Sequence, residues 1–226
     1  MITAITCVTI VPRIMDNNIK KVDIDSALNT SSDDPAIEID PHVIIGANSD
    51  NGRIGDHIKG RANARVVVIE YGDYQCPGCS TVVKRFNALV EYYGERIGFV
   101  FRHFPLSFHT YAEPAARAAE AAGLMGKFWE MHELIYETQR IWAYAESDKI
   151  DNVFAGMAAE IGLDTTTFMN HYASQAVADR VAYDTRMAEK LALRGTPTVI
   201  INGEEISSSV WGNESLLKRY IDELLE

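Results

Sequence analysis

Cysteine is scarce in this chain, with three in 226 residues, which excludes a scaffold stapled together by disulfides. Positive charge is in deficit. Lys and Arg number 21 against 32 Asp and Glu, a formal net charge of −11. That balance argues against a nucleic-acid or anionic-membrane surface as partner and describes a solvated acidic exterior. The six histidines offer a single His-x(3–5)-His spacing, His103 to His109, and it spans Pro105, which makes it a poor second half for a structural zinc site's four ligands. What is present, 47% hydrophobic and 23% charged residues, suits a soluble chain of one to two domains able to bury a sizeable core.

Residues 1–55 differ from the rest. Ile2 to Val11 is apolar, but Pro12 and Arg13 end it well short of the roughly 18 residues of a membrane span. The basic start and small-residue cleavage site of a signal peptide are missing too. A trimmed anchor and a short strand or coil both remain open, and the anchor is the expectation taken forward. Asp16 to Asp40 is polar and acidic, contains Thr30-Ser-Ser-Asp-Asp-Pro35, and reads as a linker. Cys7 follows Ala4-Ile5-Thr6 with no basic residue before it, a poor lipid-attachment pattern, and is read as non-catalytic.

The informative segment is Cys76-Pro77-Gly78-Cys79. Before it, Arg65-Val-Val-Val-Ile-Glu-Tyr71 reads as a buried strand, and Gly72 to Gln75 as a turn. Pro77 suits a first helical position, after which Val82, Val83, Phe86, Leu89 and Val90 recur at helical spacing. Two cysteines three apart on a first turn share a face and can close a small disulfide ring. Cys76, the outer one, would meet unpaired N–H groups and the positive end of the helix dipole. Such surroundings lower a thiol pKa from about 8.5 into a range of roughly 3.5–7.5. The segment reads as a thiol–disulfide redox site. An inert structural disulfide fits less well, because such bonds usually close longer loops.

Ile97-Gly-Phe-Val-Phe-Arg-His-Phe104 reads as a second core strand, expected parallel to the first across the helix. From Tyr111 to about Leu193 the apolar spacing is helical. Ala115, Ala118, Ala119 and Ala122 form one stripe; Phe128, Met131 and Ile135 another; Phe154, Met157 and Ile161 a third. With Trp129 and Trp142, these are packing surfaces. Asp148 and Asp164 are candidate N-caps. Thr198 to Ile201 is a strand, Asn202-Gly203 a two-residue hairpin turn, and Glu204 to Ser207 its partner. A last helix starts at Asn213 or Ser215 and carries Leu216, Leu217, Tyr220, Ile221, Leu224 and Leu225.

The fold class expected is α/β: a thioredoxin fold with a helical insertion at about residues 107–194. Glu70-Tyr-Gly-Asp-Tyr-Gln-Cys-Pro-Gly-Cys79, Phe101-Arg-His-Phe-Pro-Leu106 and Gly195-Thr-Pro-Thr198 together resemble a DsbA-like thiol:disulfide oxidoreductase. The likeness leans toward the thioredoxin-like proteins of Gram-positive and related bacteria. It covers Asp56 to Glu226 and leaves residues 1–55 outside.

The resemblance implies that Cys76 is the attacking thiol, Cys79 the buried resolving one, and Thr196-Pro197 a cis peptide that holds substrate backbone. Glu70 would sit beneath the pair and pass protons to or from Cys79; by position alone it is a strand-end carboxylate for which solvent exposure is an equal reading. The central dipeptide is Pro-Gly, whereas the enteric enzyme has Pro-His, so the extra thiolate stabilisation from that His is missing. The implied function is disulfide formation in extracytoplasmic proteins through a mixed disulfide at Cys76. No cofactor beyond the Cys76–Cys79 disulfide is expected. Partners would be unfolded or reduced proteins and a membrane redox partner such as a quinone-linked oxidase, with the chain itself a monomer. A reductase or isomerase, and a chaperone-like binding module with a structural disulfide, remain the alternatives.

Overall fold

The computed structural model describes residues 43–146 and 149–226. The expectations for the apolar start, the acidic linker, Cys7 and an Asp148 cap lie outside those residues. Five strands form one sheet in the order β1-β3-β2-β4-β5. Its centre is β2 (Val66–Gly72), a run of β-branched and aromatic residues that is almost wholly buried. Helix α1 (Pro77–Tyr93) crosses to β3 (Ile97–His103), which lies parallel to β2, as the strand–helix–strand order predicts.

Side chains alternate along β2. Val66 and Val68 point into a core shared with Val82, Phe86 and Leu89 of α1 and Leu217 and Ile221 of α9 (Glu214–Leu225). Ile69 and Tyr71 point to the other face, against Val100 and Ala188. Glu70 has the parity of Val66 and Val68. It is therefore aimed at the face that α1 covers.

β4 (Thr198–Ile201) pairs antiparallel with β2, and β5 (Glu204–Ile206) with β4. Asn202 and Gly203 both have positive φ, 48° and 88°, as a two-residue primed turn requires. A short helix, α8 (Ser208–Trp211), precedes α9, whose N-cap is Asn213.

The insertion is helical throughout: α2 (Ala112–Gly123), α3 (Phe128–Glu137), α4 (Gln139–Trp142), α5 (Ile150–Glu160), α6 (Thr165–Tyr172) and α7 (Gln175–Lys190). Ala115, Ala118, Ala119 and Ala122 are fully buried. Their small side chains let α2 pack closely among α3, α6 and α7. Phe128, Met131, Ile135 and Phe154 fill the same core. Asp164 caps α6, accepting from the Thr167 N–H at 2.8 Å.

Two features go beyond the sequence reading. An additional strand, β1 (Ile58–Gly60), pairs antiparallel with β3. Residues 43–55, grouped by sequence with the tail, pack on the domain: Ile45, Asn51 and Ile54 are buried. Asp56 explains why. Its carboxylate lies 2.7 Å from Arg102 of β3 and 2.8 Å from Arg180 of α7, with all three side chains inaccessible to solvent. It also accepts from the Ile45 N–H at 2.7 Å. Arg180 further contacts Asp184 at 3.2 Å and Glu120 at 3.5 Å, and Glu120 accepts from His57 and His103, each at 2.8 Å. Burial alone would raise the Asp56 pKa, but the two guanidinium groups outweigh it and hold it below the usual carboxylate range.

Arg180→Met should therefore cost about 3–5 kcal/mol, because it strips buried carboxylates of their partner; denaturant unfolding at pH 7 measures it. The pH dependence has a definite sign. Asp56 and Glu120 both have depressed pKa values, so their contribution is present above the unfolded carboxylate pKa of about 4 and fades as pH falls below it. Asp184, raised by burial, acts the other way. The denaturation midpoint should fall between pH 5 and pH 3, and a flat profile there would contradict the assignment.

Candidate active site

Cys76 is the N-cap of α1, with extended backbone at φ −70° and ψ 120°, and Pro77 is the first helical residue. This places the free N–H groups of Gly78 and Cys79 toward the Cys76 sulfur. Cys76 is 9% exposed and Cys79 is fully buried one turn inward; both are free thiols in this structure. A hydrogen bond from the Cys79 thiol is the largest influence on Cys76. Together with neighbouring Thr196 and the two backbone N–H groups it outweighs burial and lowers the Cys76 pKa to about 5. Cys79 shifts strongly upward, first through burial and then because its proton is engaged with Cys76. Two chemically identical groups are thereby made unequal.

The loop before β4 faces this pair. The Thr196–Pro197 peptide is cis, as the resemblance implies, and the Cys76 thiol donates to the Thr196 carbonyl oxygen at 3.5 Å. A Cβ on Gly78 would stand 3.3 Å from the Pro197 ring and 3.5 Å from the Cys76 sulfur. Glycine suits so close an approach. Glu70, pointed at α1 by strand parity, is 2% exposed. Burial, and then the Cys76 charge, push its pKa to about 8. The five residues expected from the sequence therefore converge: Cys76, Cys79, Thr196, Pro197 and Glu70.

Other residues that shape the site come from the insertion and carry little sequence signal. Gln139 of α4, buried, donates from its amide to the carbonyls of Tyr74 at 2.7 Å and Cys76 at 3.0 Å. Gln75 donates to the Ala143 carbonyl at 3.1 Å and accepts from the Tyr111 N–H at 2.6 Å. These partners lie more than 30 residues from the cysteines, and a glutamine in a helix advertises nothing. Asp73 is different, because an Asp in a Gly-Asp turn is a recognisable loop-former. Its carboxylate accepts from the N–H groups of Gln75 at 2.7 Å and Leu106 at 2.9 Å, and from His109 at 2.7 Å.

Neither histidine considered as a metal ligand joins the cysteines. His109 is bound to Asp73. His103 lies with Glu120 and Asp184, whose ligand atoms come within 4.8 Å of one another. Arg180 contacts both carboxylates there, which leaves little electrostatic demand for a cation.

A thioredoxin family model matches residues 53–223, and the chain belongs to that family. Among solved structures it is similar to oxidised BdbD from Bacillus subtilis, with a TM-score of 0.65 and 23% identity, covering 81% of this chain and 98% of that one. A thioredoxin-like oxidoreductase from Silicibacter pomeroyi gives 0.61 and 25%, covering 78% and 97%. The thiol-disulfide exchange protein alpha-DsbA2 from Wolbachia pipientis gives 0.64 and 20%, covering 75% and 87%. The fold is thus the DsbA-like form of the thioredoxin fold. Curated relatives include Na(+)/H(+) antiporter NhaA 1 of Salinispora arenicola, 39% identical over 149 residues, 66% of this chain and 22% of the antiporter. The protein of the same description from Mycolicibacterium vanbaalenii is 35% identical over 166 residues, covering 72% and 26%. The chain spans about a quarter of the length of these relatives.

The inequality of the two thiols is directly measurable. At pH 6, iodoacetamide should label Cys76 in the reduced protein and leave Cys79 unlabelled, with the Cys76 rate rising through a midpoint near pH 5. Equal labelling would overturn the assignment. Glu70→Gln should stabilise the fold at pH 7, since a carboxyl raised to about 8 loses stability as pH climbs above its unfolded value. The gain should vanish below about pH 4, where both states are protonated.

Proposed function

We propose that this protein is a thiol:disulfide oxidoreductase that introduces disulfides into proteins outside the cytoplasm. The observation that carries the reading is the inequality of the cysteines: an acidic thiol at a helix N-terminus, a buried partner one turn in, and a cis-proline loop against both. A substrate thiolate attacks Cys76 of the disulfide, and Cys79 leaves as the buried sulfur. A second substrate thiol then releases Cys76 as thiolate, so the substrate is oxidised and the protein is reduced. Thr196 and Pro197 hold the substrate backbone, and Glu70 supplies the proton that Cys79 takes up.

The direction follows from the same inequality. The reduced form carries a thiolate at Cys76 and the oxidised form carries none. Whatever stabilises that thiolate therefore favours reduction of the protein and makes its disulfide more oxidising. No imidazole occupies position 78, so the gain is smaller than in the Pro-His enzyme.

Protein-sized partners suit the rim. Ile141 and Tyr144, 78% and 85% exposed, flank the Ala143 carbonyl that Gln75 holds. Phe108, 75% exposed, meets the His109 ring edge-on beside Asp73. A membrane redox partner such as a quinone-linked oxidase would restore the disulfide. The relatives named as antiporters carry a similar segment within a membrane protein, which supports work at a membrane face. No helix of the described residues is long and apolar enough to cross a membrane.

Titration against glutathione should give a potential between those of thioredoxin and DsbA, about −270 and −120 mV. Cys76→Ser should abolish oxidation of reduced substrates, and Cys79→Ser should accumulate mixed disulfides. A potential at the thioredoxin end would replace the oxidase reading with a reductase.

A further inference from the structure

The redox reading leaves one buried group beside the cysteines without a task. Tyr136 of α3 packs on Tyr74, with ring centroids 4.8 Å apart, and on Phe101 and His132. Its hydroxyl is buried and has no hydrogen-bond partner among the described residues. Such an idle hydroxyl costs free energy on folding, and it is placed where charge changes. It reaches β2, where a Cβ on Gly72 would lie 3.2 Å from it, two residues beyond Glu70. Tyr136 and Cys79 belong to one core cluster.

The buried ring also borders a cleft. Tyr136 lines a cleft of about 490 Å³ between α1 and the α3–α4 turn, together with Ser80, Val83 and Gln139. Val83 lies one helical turn beyond Cys79, so the cleft runs along the flank of α1 that carries the resolving cysteine.

The chemistry requires a donor here. When substrate thiolate bonds to Cys76, the Cys76–Cys79 bond breaks and its electron pair goes to the Cys79 sulfur. The Glu70 carboxylic proton then moves to that sulfur and leaves a carboxylate. One negative charge stays buried throughout, and it ends only when a proton arrives from water. We propose that the Tyr136 hydroxyl donates a hydrogen bond to this charge on the Cys79–Glu70 pair, and that its ring closes the cleft through which the pair recovers its proton. The inference rests on the redox reading above.

The other titratable groups around Tyr136 are already engaged or lie farther out. Asp73 accepts from His109 and two backbone N–H groups. The Tyr74 hydroxyl pairs with His132 at 2.9 Å, and burial keeps that imidazole neutral. Lys84 of α1, Glu133 and Glu137 of α3 and Arg140 of α4 line the cleft itself. Burial raises the Tyr136 pKa, and charge on Cys79 or Glu70 raises it further, so the hydroxyl keeps its proton and remains a donor.

Tyr136→Phe keeps the ring and removes only the unpartnered oxygen. Stopped-flow reduction of the oxidised protein by dithiothreitol, from pH 5 to pH 9, provides the test. The variant should keep or raise its thermal midpoint and react about tenfold more slowly at neutral pH, as loss of a hydrogen bond to a charged group implies. The midpoint set by Glu70 should move to higher pH, because its anion loses a donor. In the unsubstituted protein, the Tyr136 ¹³Cζ resonance should titrate with Glu70. An unchanged rate and pH profile in Tyr136→Phe, alongside altered ones in Glu70→Gln, would overturn the role of Tyr136 and leave the redox reading standing. So would a Tyr136 resonance indifferent to Glu70. Turnover that survives Cys76→Ser would instead remove the redox reading itself.

Discussion

Asp56 held between two guanidinium groups is the interaction on which the arrangement of this molecule depends. Arg102 rises from the sheet, Arg180 comes from the last helix of the insertion, and Asp56 belongs to the segment leading into β1. Three parts of the chain meet at one carboxylate. A buried ion pair is not inherently stabilising, since desolvation offsets most of its attraction. Breaking one is nevertheless costly, because the charge left behind has no water to turn to. The network with Glu120, Asp184, His57 and His103 therefore acts as a constraint on geometry, fixing where α2 and α7 lie over the β3 face of the sheet.

That constraint bears on the cysteines through the insertion. α4 supplies Gln139, whose amide holds two carbonyls of the active-site loop, and the chain after α4 supplies the Ala143 carbonyl for Gln75. The β3–α2 connection supplies Leu106 and His109 to Asp73. The turn that presents Cys76 is thus held from both sides of the insertion. Rigidity matters there because the low Cys76 pKa comes from short-range donors, and hydrogen bonds weaken steeply when distance or angle slips.

Proton handling follows the same logic of burial. The sheet delivers Glu70 into an apolar layer where its ionised form is disfavoured, so it holds a proton near neutral pH. Cys79 lies in that layer too, and its ionised form is disfavoured more strongly still. Cys76 alone of the three meets donors enough to outweigh burial. One environment thereby gives three acidic groups three different affinities for a proton.

Much of this was legible along the chain. The Cys-x-x-Cys pair after a strand, Pro77 at a first helical position and the Asn202-Gly203 turn are local signals, and each depends on backbone stereochemistry that neighbouring residues dictate. Glu70 was legible as a residue but not as a buried one, because strand parity assigns a side chain to a face while only packing decides whether that face meets water. β1 and the packed segment at 43–55 went unread, since a three-residue strand has too little periodicity to register. Gln139, Gln75 with its distant partners, and the Asp56 network were invisible for a different reason. Their meaning lies in contacts between residues tens of positions apart, which no local pattern encodes. The sequence by itself determined most of the elements, their order and the placement of two cysteines at a helix start; the tertiary structure decided which thiol is acidic, which carboxyl keeps its proton and what holds the loop, because those depend on burial and on donors that only the folded chain brings together.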